Sequence, residues 1–331
     1  MELAPLVDSF GRVHDNLRIS VTDRCNIRCF YCMPETGVKF VPRSQIMTFE
    51  EIERFARIAA TLGVNKLRVT GGEPLVRRDL PVLVRRLAAI SGIRDLALTT
   101  NGVTLAELAE PLYRAGLRRI NVHLDTLDRE RFRQITRRDE LEKVLAGLAE
   151  VKRLGYRVKL NAVAVKNLVE PDIVPLARYA RDHGFEVRYI EFMPLDAQNL
   201  WDRGKVLLAG EIIETLSREI SPLVPVPDPD PRAPATEYEY ADGGGRVGFI
   251  ASVSRPFCLN CNRLRLTADG KLRYCLFAIQ EDDVKALMDS GATDAAIAAL
   301  IRRNVAGKWE GHEINTARFV APPRPMYSIG G

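Results

Sequence analysis

The chain carries six cysteines in two trios, Cys25-x3-Cys29-x2-Cys32 and Cys258-x2-Cys261-x13-Cys275. A four-iron cube normally takes four thiolates, one per iron. A trio leaves one iron open to a small molecule, and this chain has the means to do that twice. Zinc takes four Cys or His ligands in close pairs. Neither trio has a histidine nearby; His14 and His123 lie far along the chain from Cys25. The first spacing is therefore read as a [4Fe-4S] site. The second trio fits another [4Fe-4S] cluster, and a Cys-x2-Cys pair with a distant third also fits zinc completed by a remote histidine. Both readings stay open for that trio.

These groups need a scaffold, and the sequence from about residue 17 to 220 alternates short strand-like runs with longer amphipathic ones. Strands are expected near 17–22, 65–70, 95–100, 119–124, 157–163 and 186–192. A helix over 49–62 repeats Ile52, Phe55, Ala59 and Leu62 at helical spacing. Thr48 with Glu51 predicts a capping box, with Met47 stapled on Ile52. Such alternation means a parallel sheet, and six units predict a partial (β/α)6 TIM-like barrel.

Buried parallel strands usually read as continuous apolar runs. Here the first five alternate instead, as in Leu17, Ile19 and Val21 against Arg18, Ser20 and Thr22. One polar face per strand predicts a polar lumen. Arg18, Lys66, Arg68 and Lys159 fall on that face, where Arg and Lys answer phosphate. In the sixth strand Arg188 and Met193 have opposite parity, so a bulge is expected there. Barrel chemistry gathers at the C-terminal strand ends. The first trio, Gly71-Gly72-Glu73-Pro74, Thr99-Thr100-Asn101-Gly102, Asp125 and Glu191 to Pro194 all fall on that rim. Gly71-Gly72 is expected to let the backbone approach a ligand closely.

At 331 residues the chain is long enough for one large domain or two. Residues 1–220 are expected as the barrel, 221–236 as a proline-rich linker, and 237–331 as a C-terminal extension carrying the second cluster and a Gly-Gly tail. No stretch reads as a secretory leader or a membrane span, so a reducing, cytoplasmic setting is expected. A net charge of +5 favours neither a nucleic-acid coat nor a membrane patch.

Cys25-Asn-Ile-Arg-Cys29-Phe-Tyr-Cys32 with Gly71-Gly72-Glu73-Pro74 resembles the radical S-adenosylmethionine superfamily. The second trio sits in Pro256-Phe-Cys258-Leu-Asn-Cys261-Asn-Arg263-Leu264-Arg265. With Thr99-Thr-Asn-Gly, Glu191-Phe-Met193-Pro and the ending Met326-Tyr-Ser-Ile-Gly-Gly331, it resembles the MoaA family, the GTP 3′,8-cyclases of molybdenum cofactor biosynthesis. The likeness runs nearly end to end.

That resemblance implies two [4Fe-4S] clusters and S-adenosyl-L-methionine bound at the open iron of the first. Reductive cleavage would give methionine and a 5′-deoxyadenosyl radical, which takes the 3′ hydrogen of GTP. The sugar radical then attacks C8, giving (8S)-3′,8-cyclo-7,8-dihydroguanosine 5′-triphosphate. The second cluster would bind guanine at its open iron. Tyr31, Gly72, His123 and Met193 are implied as cofactor contacts, although the family commonly has serine at position 123. Arg18, Lys66, Arg68, Thr99, Lys159, Arg188, Arg263, Leu264 and Arg265 are implied around GTP. Arg18 carries a further implied role in a late electron or proton transfer. The Gly330-Gly331 tail is implied to reach into the active site. Implied partners are an electron donor and a downstream cyclic pyranopterin monophosphate synthase, with no nucleic acid and no membrane; a homodimer is compatible. The rival readings are a radical enzyme with an auxiliary cluster acting on a peptide, and a zinc-stabilised nucleic-acid-binding protein.

Overall fold

Leu17 and Ile19, Leu67 and Val69, and Ile120 and Val122 are buried to 2% exposure or less, while the residues between them turn to the other face. That period-two pattern builds six parallel strands in the computed structural model, which describes residues 5–330. They are β1 (Asn16–Ser20), β2 (Lys66–Thr70), β3 (Asp95–Thr100), β4 (Arg119–His123), β5 (Arg157–Ala164) and β6 (Glu186–Glu191). The strands pair in chain order as an open parallel sheet, the partial barrel expected from the sequence. Helices α1 (Phe49–Thr61), α2 (Leu80–Ala88), α3 (Leu105–Arg114), α4 (Arg129–Thr136), α5 (Leu141–Arg153) and α6 (Glu170–His183) cover its outside. α1 starts with the expected capping box: Thr48 accepts from the Glu51 N–H, and Glu51 accepts from the Thr48 N–H at 2.7 Å. Met47 and Ile52 are both buried beside it.

The sixth strand has no bulge. β5 and β6 keep unbroken register from Lys159↔Glu186 to Ala164↔Glu191. Arg188 and Ile190 face inward, while Val187 and Tyr189 join the core. Met193 lies beyond the strand's end, so strand parity does not govern it.

After α7 (Ala209–Glu219) come β7 (Leu223–Pro225), β8 (Thr236–Tyr240) and β9 (Arg246–Ile250), then β10 (Arg263–Leu266), β11 (Lys271–Arg273) and β12 (Asp282–Asp283). These strands join the barrel sheet at both edges. β9 pairs parallel with β6, and β10 pairs parallel with β1. Proline-rich residues 221–236 contribute the short edge strand β7, a position where a missing N–H is tolerated. Helices α8 (Val284–Asp289), α9 (Asp294–Ala306) and α10 (Met326–Ile329) complete the described residues. Among these no helix is long and apolar enough to cross a membrane.

Glu191 ties the two halves together. Its carboxylate accepts from the backbone N–H of Ala209 at 3.0 Å, Val253 at 2.8 Å and Ser254 at 2.7 Å. Three N–H donors satisfy a carboxylate that is only 2% exposed.

Candidate active site

The inward faces of β1–β6 enclose a cavity of about 540 Å³. At its rim stand Cys25, Cys29 and Cys32, together with Tyr31, Gly72, His123 and Met193. None of the six cysteines is joined in a disulfide. Burial and the neighbouring Glu73 push Cys25 up to about 12. Among the described residues no three His, Cys, Asp or Glu side chains close on one point as a single metal ion requires. The first trio offers three thiolates, the set that a four-iron cube takes with one iron left open, and His123 also reaches Cys29.

Gly71 and Gly72 are required by the cysteine loop itself. A Cβ on Gly72 would lie 2.5 Å from the Arg24 carbonyl oxygen and 2.7 Å from that of Asp23; on Gly71 it would lie 2.7 Å from the Thr22 carbonyl oxygen. The close approach expected for a ligand is in the first place one between backbones. Gly72 N–H donates to Thr22 O at 2.7 Å and Glu73 N–H to Arg24 O at 2.7 Å. Glu73 then accepts from Asn101 N–H at 2.6 Å, Thr100 Oγ1 at 2.7 Å and Leu75 N–H at 2.9 Å. One carboxylate so joins the ends of β2 and β3, and burial raises it to about 7.

Tyr31, His123 and Asp125 form one cluster. Tyr31 Oη donates to Asp125 Oδ2 at 2.5 Å, His123 Nε2 stands 3.0 Å from the same oxygen, and His123 also touches Tyr31 Oη. Burial works against an imidazolium at His123, but Asp125 holds its proton and carries the group well above its usual range. His123 lines the cavity and is also a fixed link between Tyr31 of the cysteine loop and Asp125 just past β4.

Cations fill the opposite part. Register places Arg265 of β10, Arg18 of β1 and Arg68 of β2 side by side. One level down lie Arg263, Asn16 and Lys66. Burial and then neighbouring guanidiniums push Arg18 well below its ordinary value, Arg68 to about 10 and Arg265 to about 9. Arg18 Nε, Thr99 Oγ1 and Asn161 Oδ1 are enclosed and have no hydrogen-bond partner. Enclosed polar groups without partners are rare in folded chains, and here they face one cavity with a cluster of positive charge. An anionic, hydrogen-bonding ligand would answer both needs.

Lys159 and Arg188 are different, because both are already paired. Lys159 Nζ lies 2.6 Å from Glu186 and 3.2 Å from Glu237, and Arg188 bonds the same two acids at 2.6 and 2.5 Å. Leu264 does not line the cavity; its side chain is 1% exposed in the core, between the inward-turned Arg263 and Arg265.

Cys258, Cys261 and Cys275 do not line the cavity, but Arg263 does, and its guanidinium reaches Cys261 Sγ at 3.4 Å. Burial opposes ionisation of Cys261, yet Arg263 and Lys308 hold it down to about 5. His312 approaches the trio through its backbone N–H to Cys258, while its ring packs on Phe277 with centroids 5.1 Å apart. The tail closes one side. Gly330 O accepts from Arg265 Nη1 at 2.6 Å, and the Tyr327 N–H bonds Cys32. Gly331 lies outside the described residues.

Several lining residues carried no sequence signal. Arg119 pairs with Asp95 at the floor of the cavity. Val226, Pro229, Asp230 and Arg232–Ala235 of the proline-rich segment form a wall. Arg232 is held there by Asp15 at 3.0 Å.

A parallel partial barrel with a Cys-x3-Cys-x2-Cys loop after its first strand defines the radical S-adenosylmethionine class. In agreement, residues 19–180 match the Radical SAM superfamily and residues 185–314 match Molybdenum Cofactor Synthesis C. The fold is shared with SuiB of Streptococcus suis, at a TM-score of 0.62 and 14% identity over 88% of this chain and 69% of that one. The GTP 3′,8-cyclase of Rhodopirellula baltica is 47% identical over 330 residues, 98% of this chain and 92% of the relative. That of Mycobacterium sp. strain KMS is 48% identical over 329 residues, 99% and 94% of the two chains. The chain belongs to the GTP 3′,8-cyclase family of radical S-adenosylmethionine enzymes. Membership brings a [4Fe-4S] cluster and S-adenosylmethionine.

Proposed function

We infer that this chain converts GTP to (8S)-3′,8-cyclo-7,8-dihydroguanosine 5′-triphosphate, the first step of molybdenum cofactor biosynthesis. The observation that carries the reading is one cavity with three thiols at its rim and, in its wall, a cluster of guanidiniums that includes the partnerless Nε of Arg18. The first cluster with S-adenosylmethionine supplies a carbon-centred radical able to take a sugar hydrogen. Cys25, Cys29 and Cys32 would hold that cluster; Tyr31, Gly72, His123 and Met193 would hold the cofactor. Arg18, Arg68 and Arg265 would bind triphosphate oxygens, with Thr99 donating through its free hydroxyl. Lys66, Lys159 and Arg188 line the same space, the last two balanced by Glu186 and Glu237. Leu264 would contribute backbone only.

Cys258, Cys261 and Cys275 would hold a second [4Fe-4S] cluster, with Arg263 between it and the nucleotide. The reading carries with it a one-electron donor, a downstream cyclic pyranopterin monophosphate synthase and a reducing cytoplasmic setting. Peptide modification is not favoured, since the cavity wall is cationic and the full-length relatives are GTP cyclases. The test is anaerobic incubation with S-adenosylmethionine, a reductant and GTP. Consumption of GTP with formation of 5′-deoxyadenosine supports the reading; intact GTP with active cofactor cleavage overturns it.

A further inference from the structure

Lys308 follows α9 and is only 4% exposed. Its ammonium donates to Cys261 Sγ at 3.4 Å and to the Arg263 carbonyl at 2.9 Å. Among the described residues no carboxylate pairs with it. Asp8, the acid of this region, is already taken by Arg12 at 2.6 Å and His14 at 3.0 Å. His14 does not compensate either; burial and the Lys308 charge keep its imidazole neutral. The other groups that face the ammonium are the Arg263 guanidinium and the thiols of Cys261 and Cys275. A buried lysine without an acid partner is strongly unfavourable unless other negative charge stands beside it. Here the thiolates are what remains.

The position behind Cys261 matters. Lys308 does not line the cavity, whereas Arg263, the other donor to Cys261 Sγ, does. The backbone around it is also fixed from the far side. Arg12 Nη1 donates to the carbonyls of Cys258 at 2.8 Å and Glu310 at 2.6 Å, and Nη2 to that of Trp309 at 2.6 Å. The amino-terminal segment therefore holds the Cys258 loop and the 308–310 strip together, and the lysine keeps its distance to the sulfur.

We propose that Lys308 is the positioning residue that sets the reduction potential of the second cluster, through its ammonium hydrogen bond to the Cys261 sulfur. The proposal rests on the second-cluster reading above. Adding an electron raises the negative charge on the cluster and its thiolates. A fixed cation and an N–H···S bond stabilise that added charge, so the potential rises. Arginine at the same place keeps the charge; methionine keeps the bulk and removes it.

The experiment uses the full chain with Cys25, Cys29 and Cys32 replaced by alanine, so that only the second trio can carry iron. Lys308, Lys308→Met and Lys308→Arg forms are reconstituted anaerobically, assayed for iron and sulfide, and titrated by potential with electron paramagnetic resonance as readout. The expected result is iron retained in all three and a more negative midpoint in Lys308→Met. At a fixed potential its reduced-to-oxidised ratio falls about tenfold, equivalent to ~59 mV for one electron. Lys308→Arg recovers most of that shift. Iron lost from Lys308→Met but kept by Lys308→Arg would show that the cation holds the cluster rather than tunes it, and overturns the proposal as stated. Equal midpoints, or equal loss of iron in both variants, overturn it. If the Lys308 form itself binds zinc or no iron, the second-cluster reading fails first, and the proposal with it.

Discussion

Arg18 and Arg265 stand directly opposite one another on neighbouring parallel strands, and neither has an acid partner among the described residues. Like charges placed across a strand pair repel, so this arrangement costs stability in the empty protein and favours an anion. Arg18→Met should weaken GTP binding by roughly 10- to 100-fold, the loss of one charge-assisted bond of ~1.5–3 kcal/mol. The same change should raise the thermal midpoint of the nucleotide-free protein. Calorimetry checks both, and a lower midpoint would count against repulsion. Equal loss of affinity and rate, with no stalled intermediate, would make Arg18 a binder only.

Gly72→Ala should cost the first cluster selectively. The new Cβ would collide with the Arg24 and Asp23 carbonyls, which are backbone and cannot swing aside. The Cys25 loop must shift, at roughly 1–3 kcal/mol. Iron should fall to about half the parent value while the second trio keeps its share. Full iron content would show that the loop adapts.

The tail offers a separate measurement. Gly330 has φ 90°, and a Cβ there would stand 2.7 Å from Ser20 Cβ. Gly330→Ala should therefore expel the last residues and free Arg265 from its carbonyl bond. Turnover is expected to drop by at least tenfold (about 1.4 kcal/mol) with iron content unchanged. Unaltered turnover would make the tail a passive cover.

Acid lability should trace to His14. Burial and the nearby Lys308 charge lower its imidazole to about 4 in the fold, against about 6.5 in an unfolded chain. Its Nδ1 is buried without a partner, so a proton there would find no acceptor. Between those values the unfolded chain binds the extra proton. Stability is therefore lost as pH falls from about 6.5 to about 4, by roughly 3 kcal/mol. Although burial opposes it, bonds from His14 and Arg12 hold Asp8 at about 2, adding a further loss in stronger acid. His14→Gln should flatten the first slope in urea unfolding across that window.

Much of this is legible in the sequence alone. Alternation in β1–β5 marked which residues face inward, because a two-residue period needs no tertiary information. Arg263 and Arg265 follow the same rule on β10, and it also explains why Leu264 is turned away. The bulge expected in β6 came from applying that rule to Met193, past the end of the strand. What stayed hidden depends on contacts distant in sequence. Glu237 neutralising Lys159, Asp15 holding Arg232 and Arg12 clasping the Cys258 loop are separated by dozens to hundreds of residues. No local pattern announces such partners. The glycine pair reads as room for a ligand, but the object it accommodates is the neighbouring loop.

Two late strands, β10 and β9, cover the first and the sixth. Until residues 246–266 have left the ribosome, β1 and β6 each present a bare row of N–H and C=O groups. Unpaired edges of that kind recruit other chains. A nascent polypeptide halted after α7 would therefore be a sticky, two-sided template, and chaperones would have most to shield during that interval.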